Sequence, residues 1–179
     1  YPREFFEALS KATWVRVSVN AGTTETYTKH QGKNHFAQMI SNCKEAAVYN
    51  TRFGWSFLIT NDNYTEIDEA AHVAATCGAK YIQYKPIIEV GEPGAAYKGL
   101  EQQIADLLHS AMEHAWKYGT DFQVLDQWSS RLTELKLHHA QKFSGRCHVP
   151  KFNPKLGANG VVYECCELAY NDSAALGSI

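Results

Sequence analysis

Along residues 14–20, Trp14-Val15-Arg16-Val17-Ser18-Val19-Asn20, β-branched and polar side chains alternate before Ala21-Gly22. That period of two, closed by a turn pair, predicts a strand with a polar C-terminal end. From Asn34 the period lengthens. Phe36, Met39, Ile40, Cys43 and Ala47 recur at three- and four-residue spacing and predict a helix with one apolar face. Residues 55–60 are then apolar almost throughout, the signature of a strand covered on both faces in a parallel sheet.

After Asn61-Asp62-Asn63, the spacing of Ile67, Ala70, Ala71, Ala74 and Cys77 predicts a second helix, stopped by Gly78. Asn63 is expected to cap it, with Glu66 reaching back to the cap amide. Tyr81 to Lys85 reads as a third strand ended by Pro86, and the crossovers are long enough for parallel pairing. A loop over residues 89–96 leads to a long amphipathic helix carrying Leu100, Ile104, Leu107, Leu108, Ala111 and Ala115. A short strand is expected at Asp121 to Val124 and a further helix at Gln127 to Ala140. Beyond Gly145, turn residues and thiols replace helical periodicity: Cys147, Pro150, Pro154, Gly157, Gly160, Cys165 and Cys166. The expected class is therefore α/β, a partial parallel β/α barrel followed by helices and a small cysteine-containing hairpin region. The expected boundary separates residues 1–145 from 146–179.

Length limits this picture, because a complete β/α barrel takes roughly 250 residues and the chain has 179. The sequence begins at Tyr1 and carries no export signal, which predicts a partial gene product from the cytoplasm. A formal net charge of −2 gives no reason to expect a nucleic-acid binder or attraction to anionic membranes. No apolar run approaches the roughly 20 residues of a membrane helix. The sequons at Asn63 and Asn171 would need a secretory route to matter. Five cysteines without an export signal read as reduced thiols or metal ligands, not disulfides.

Three stretches, VRVSVNAGTTETY, FLITNDNYTEIDEAAHVAATCGAKYIQYKP and Cys147 through GANGVVYECC, resemble the radical S-adenosylmethionine superfamily in order and spacing. They are similar to the fourth, fifth and sixth strands of its (β/α)6 barrel and to the start of a SPASM or twitch-type auxiliary domain. In the third stretch Cys147 is followed by twelve residues, Gly160, four residues and Cys165. That pattern suits a glycine-turn hairpin presenting thiolates to an iron–sulfur cluster. The resemblance implies S-adenosylmethionine and a [4Fe–4S] cluster as cofactors of the intact enzyme, and an auxiliary cluster at the C-terminal cysteines. It also implies a peptide, sugar or small-molecule substrate. The sequence departs from the family in having no CxxxCxxC motif and no glycine-glycine-glutamate motif, so the chain alone is expected to be inactive. The auxiliary domain reads as unfinished, with thirteen residues after Cys166. The competing class is a non-catalytic metal-binding or interaction module.

Active sites of β/α barrels sit at the C-terminal ends of the strands. Ser18 and Asn20 therefore become candidates, and by resemblance they lie near S-adenosylmethionine; both can instead satisfy turn amides. Thr60 and Asn61 end the second strand, while Tyr84 and Lys85 end the third and can line the substrate or adenine side. Cys147 and Cys165, with Cys166 less readily because neighbours on a strand face opposite ways, are the candidate metal ligands. With His148 they form an alternative zinc set. Asp106, Ser110 and His114 imitate a hydrolase row but read as a solvated helix stripe, and His138-His139 as surface. An unpaired first strand predicts self-association through the barrel edge.

Overall fold

Four strands hydrogen-bond in parallel in the order β1 (Val15–Ser18), β2 (Phe53–Ile59), β3 (Tyr81–Pro86) and β4 (Gln123–Asp126). The computed structural model describes residues 1–87, 95–119, 121–131, 148–152, 154–165 and 169–178. The helices of this part are α1 (Arg3–Leu9), α2 (Thr24–Gln31), α3 (Phe36–Val48), α4 (Ile67–Thr76) and α5 (Glu101–His114). Strand, helix and parallel strand alternate as the pattern predicts, and the fold is an α/β half-barrel.

Register and alternation sort the sheet into two faces. Val17 pairs with Trp55 and Trp55 with Ile82, while Phe57 pairs with Tyr84. These five share the helix-covered face. Trp55, Phe57, Ile82 and Tyr84 are fully buried, and each large apolar side chain so placed contributes roughly 1.5–3 kcal/mol of transfer free energy. The opposite face, which would be the barrel interior, carries the rows Arg16–Gly54–Tyr81 and Ser18–Ser56–Gln83, then Leu58–Lys85. Gly54 is required there, because the ring of Tyr81 occupies the place where a Cβ would stand.

Helix α3 buries Phe36, Cys43 and Ala46, and α4 buries Ile67, Ala70, Ala71 and Ala74. Gly78 adopts φ +86° just past α4, as its stop requires. The capping box expected at Asn63 and Glu66 does not form. Residues 64–66 make a 3₁₀ turn in which Asn63 gives no side-chain cap. Helix α2 lies where no helix is predicted: TETYTKHQ has no apolar stripe, yet Thr23 accepts from the Thr26 amide at one end and left-handed Gly32 closes the other. Residues 128–131 open the helix expected at 127–140, whose remainder lies outside the described residues.

Residues 1–140 form one compact unit and 141–179 a second. In the second, β5 (Lys155–Leu156), β6 (Val161–Tyr163) and β7 (Ala175–Ser178) make an antiparallel sheet. The expected hairpin is present: Gly160 takes φ +77° and the Gly157 amide donates to Val161 O at 2.8 Å. Strand β7 is not anticipated by the sequence pattern. No helix of the described residues is long and apolar enough to cross a membrane.

Candidate functional site

The C-terminal ends of β1 and β2 are tied together by two asparagines. Asn20 stands in the left-handed region at φ +56°, and its Oδ1 accepts from the Leu58 amide at 2.8 Å. Short polar side chains tolerate that conformation best after glycine. Fully buried Asn63 donates from Nδ2 to Asn20 O and Leu58 O, and its Oδ1 accepts from the Thr60 amide at 2.7 Å. Thr60 Oγ1 accepts weakly from the Asp62 amide at 3.3 Å, and Asn61 is an exposed turn residue. Asn20, Thr60 and Asn63 thus shape the mouth through backbone contacts.

Glu66 holds the other side of this mouth. Its carboxylate accepts from the Gly22 amide at 2.7 Å, from Thr23 Oγ1 at 2.8 Å and from Thr26 Oγ1 at 2.5 Å. It therefore fastens the loop after β1 to the start of α4. Buried Tyr97, also unmarked by the sequence pattern, donates to Ile59 O at 2.8 Å and receives the Ile87 amide, bridging the ends of β2 and β3. Isolated contacts of this kind leave no periodic trace in a sequence.

Tyr84 is turned away from the mouth in which the strand-end argument put it. Its hydroxyl donates to Ile67 O at 2.5 Å on the helix-covered face, and burial pushes its pKa well up. Strand alternation is the reason: Lys85, one residue on, takes the interior face. Lys85 is held below the usual lysine range first by burial and then by the charges of Arg16 and Arg131. Ser18, Ser56, Gln83 and Lys85 make no side-chain hydrogen bond or ion pair among the described residues. Ser56 is only 6% exposed as a residue, but its hydroxyl is not among the fully buried polar atoms left without a partner, which among the described residues are Thr51 Oγ1, Trp55 Nε1 and Trp128 Nε1.

Cys165 is a half-buried free thiol, while Cys147 and Cys166 lie outside the described residues. Among the described residues no three His, Cys, Asp or Glu side chains are grouped to hold a metal. Cys43 and Cys77 are buried on the helix-covered side of the sheet, where burial raises both thiols, Cys77 to about 11. In the row on α5, Ser110 Oγ lies 3.4 Å from His114 Nδ1, but exposed Asp106 bonds to Gln102 instead of the histidine. No nucleophile, base and orienting group converge there. His138-His139 lies outside the described residues.

No family model matches the sequence, and no curated protein does. Among solved structures, the chain is similar to Streptococcus suis SuiB, with a TM-score of 0.67 at 11% identity over 98% of this chain and 44% of that one. It is also similar to SuiB bound to S-adenosylmethionine, with a TM-score of 0.64 at 12% identity over 98% of this chain and 42% of that one. At such identity the likeness is one of fold alone. The chain spans less than half the length of these structures.

Proposed function

We propose that this chain is the C-terminal half of the (β/α)6 barrel of a radical S-adenosylmethionine enzyme, continued by the opening of a SPASM or twitch-type auxiliary segment. The observation that carries the reading is a parallel sheet whose interior face presents unpartnered polar side chains, in a chain that shares its fold with a protein bound to S-adenosylmethionine. In this reading Ser18 binds a polar edge of the cofactor, together with the amide nitrogen of Asn20, which makes no hydrogen bond among the described residues. Ser56 supplies a further hydroxyl from the sheet floor. Thr60, Asn61 and Lys85 rim the same opening. The cofactor and a [4Fe–4S] cluster would supply a carbon-centred 5′-deoxyadenosyl radical; the chain's own task is to orient and shield.

Because the sequence has no CxxxCxxC motif, the cluster loop is supplied by another segment of the parent, and this chain alone is inactive. Cys147, Cys165 and Cys166 are assigned to an auxiliary iron–sulfur cluster, with zinc as the alternative metal. The substrate is a peptide, sugar or small molecule, and the location is cytoplasmic. In the isolated chain, β1 at the end of the described sheet pairs with a second copy, which sedimentation at rising concentration would register as a dimer.

The test has two arms. The genomic sequence preceding the codon for Tyr1 should encode a CxxxCxxC loop, and the protein carrying it should release 5′-deoxyadenosine from S-adenosylmethionine and a strong reductant. Absence of the loop, or a reconstituted cluster that releases none, would sink the reading.

A further inference from the structure

Positive charge stands at two places on the interior face and at a third beside its C-terminal edge, with no described carboxylate to balance it; Arg16 lies 5.9 Å over the ring of Trp14. Arg16 lies on β1, and Lys85 lies on β3 two rows nearer the C-terminal edge of the same face. Arg131 stands in the helical turn that follows β4, at that same edge. Among the described residues no carboxylate pairs with any of them; the ion pairs that form are Arg3–Glu7, Lys29–Asp62 and His109–Glu113. Between the cations lies the row of Ser18, buried Ser56 and Gln83, whose side chains are likewise unpartnered.

Gathering like charges has a cost, and here it is visible: Lys85 is depressed by burial and by both arginines. A protein that needed only solubility would spread these charges or interleave acids. Guanidinium groups and an ammonium on and beside a face that carries hydroxyls and an amide match one ligand chemistry, an anionic oxygen group. We infer that Arg16, Lys85 and Arg131, with Ser18, Ser56 and Gln83 between them, form a binding site for a carboxylate or phosphate of the substrate. The inference deepens the barrel reading and rests on it for the identity of the molecule bearing the anion; the anion site itself belongs to this chain.

The experiment titrates the chain with inorganic phosphate and, separately, with glutarate at constant ionic strength, following backbone amide shifts by NMR and the melting temperature. Sodium chloride is the control. One anion should give saturable shifts at Ser18, Ser56 and Gln83 and raise the melting temperature, and the tighter of the two names the carrier group. The K85M/R131M variant should melt no lower than the parent, since it relieves repulsion, and should bind at least about tenfold more weakly, as expected for lost charge-assisted hydrogen bonds. Equal binding by parent and variant, or no response beyond that to chloride, would overturn the anion site. The two proposals fail separately: anion binding in a protein whose gene encodes no CxxxCxxC loop leaves the site standing and sinks the barrel reading, and such a loop without anion binding does the opposite.

Discussion

Asn63 Nδ2 donates to the carbonyl oxygen of Asn20 at 3.0 Å, across 43 residues of sequence. With its bonds to Leu58 O and the Thr60 amide, one fully buried side chain satisfies three backbone groups. Asn63→Ala should cost about 2–4 kcal/mol, because buried partners left unsatisfied are the expensive case. Asn63→Asp should fall at least as far, since a carboxylate would face two carbonyl oxygens. Urea unfolding followed by tryptophan fluorescence measures both; a loss below about 0.5 kcal/mol, the usual ceiling for neutral surface changes, would contradict the arrangement.

Glu66 gathers the Gly22 amide and two threonine hydroxyls onto one carboxylate. Glu66→Ala strands all three and should cost about 2–3 kcal/mol, whereas Glu66→Gln keeps one acceptor oxygen and should cost about 1 kcal/mol. Hydroxyls can turn to accept from the new amide; the Gly22 N–H cannot. Equal losses for the two variants in the same unfolding assay would show that packing, not hydrogen bonding, is the contribution of this side chain.

The thiols should separate by reactivity. Burial raises Cys43 and takes Cys77 to about 11, so near pH 8 both stay protonated and shielded, and only the thiolate attacks an alkylating reagent. Half-buried Cys165 should be modified first of these three. Peptide mapping after timed iodoacetamide exposure reads the order, and labelling of Cys77 as fast as in urea would refute it.

Alkaline stability should depend on Tyr118. Burial, then the hydrogen bond to Asp68 Oδ1 at 2.7 Å, pushes its phenol to about 12. The folded state therefore holds this proton more tightly than the unfolded state does. Its contribution is complete below the unfolded value of about 10 and is lost as pH rises through about 12. The stability difference between the parent and Tyr118→Phe should accordingly be flat up to about pH 9.5 and shrink above it. A difference that grew with pH would reverse the assignment.

How much of this was legible follows from what each element is made of. The alternation of Val15, Val17 and Val19 marks a strand covered on one face and the apolar run at 55–59 a strand covered on both, which together announce a parallel α/β sheet. The stripe of Phe36, Met39, Ile40, Cys43 and Ala47 does the same for α3. Helix α2 escapes because it has no apolar stripe: two caps, the bond of buried Thr26 to Glu66 and the packing of Tyr27 on Phe36 hold it. The rim was legible as a location, not as a set of roles. Strand ends drew attention to Ser18, Asn20 and Lys85, but Tyr84 goes to the helices through a parity that only register settles. Glu66 and Asn63 looked like a local capping box, and their partners lie forty or more residues away in several cases. Arg16 and Arg131 drew no attention, since a lone arginine on a strand or helix reads as a solvated charge until topology places it near others.

The ring of Tyr81 over Gly54 couples two positions that are 27 residues apart and neighbours in the sheet register. Neither can vary freely while the other stays fixed. A β-carbon at 54 evicts the ring, and a small residue at 81 exposes bare backbone on β2. Among descendants and relatives these two sites should therefore covary, glycine with an aromatic residue and a side chain at 54 with a compact one at 81, so that an evolutionary record of the pair would report the β2–β3 register without any coordinates.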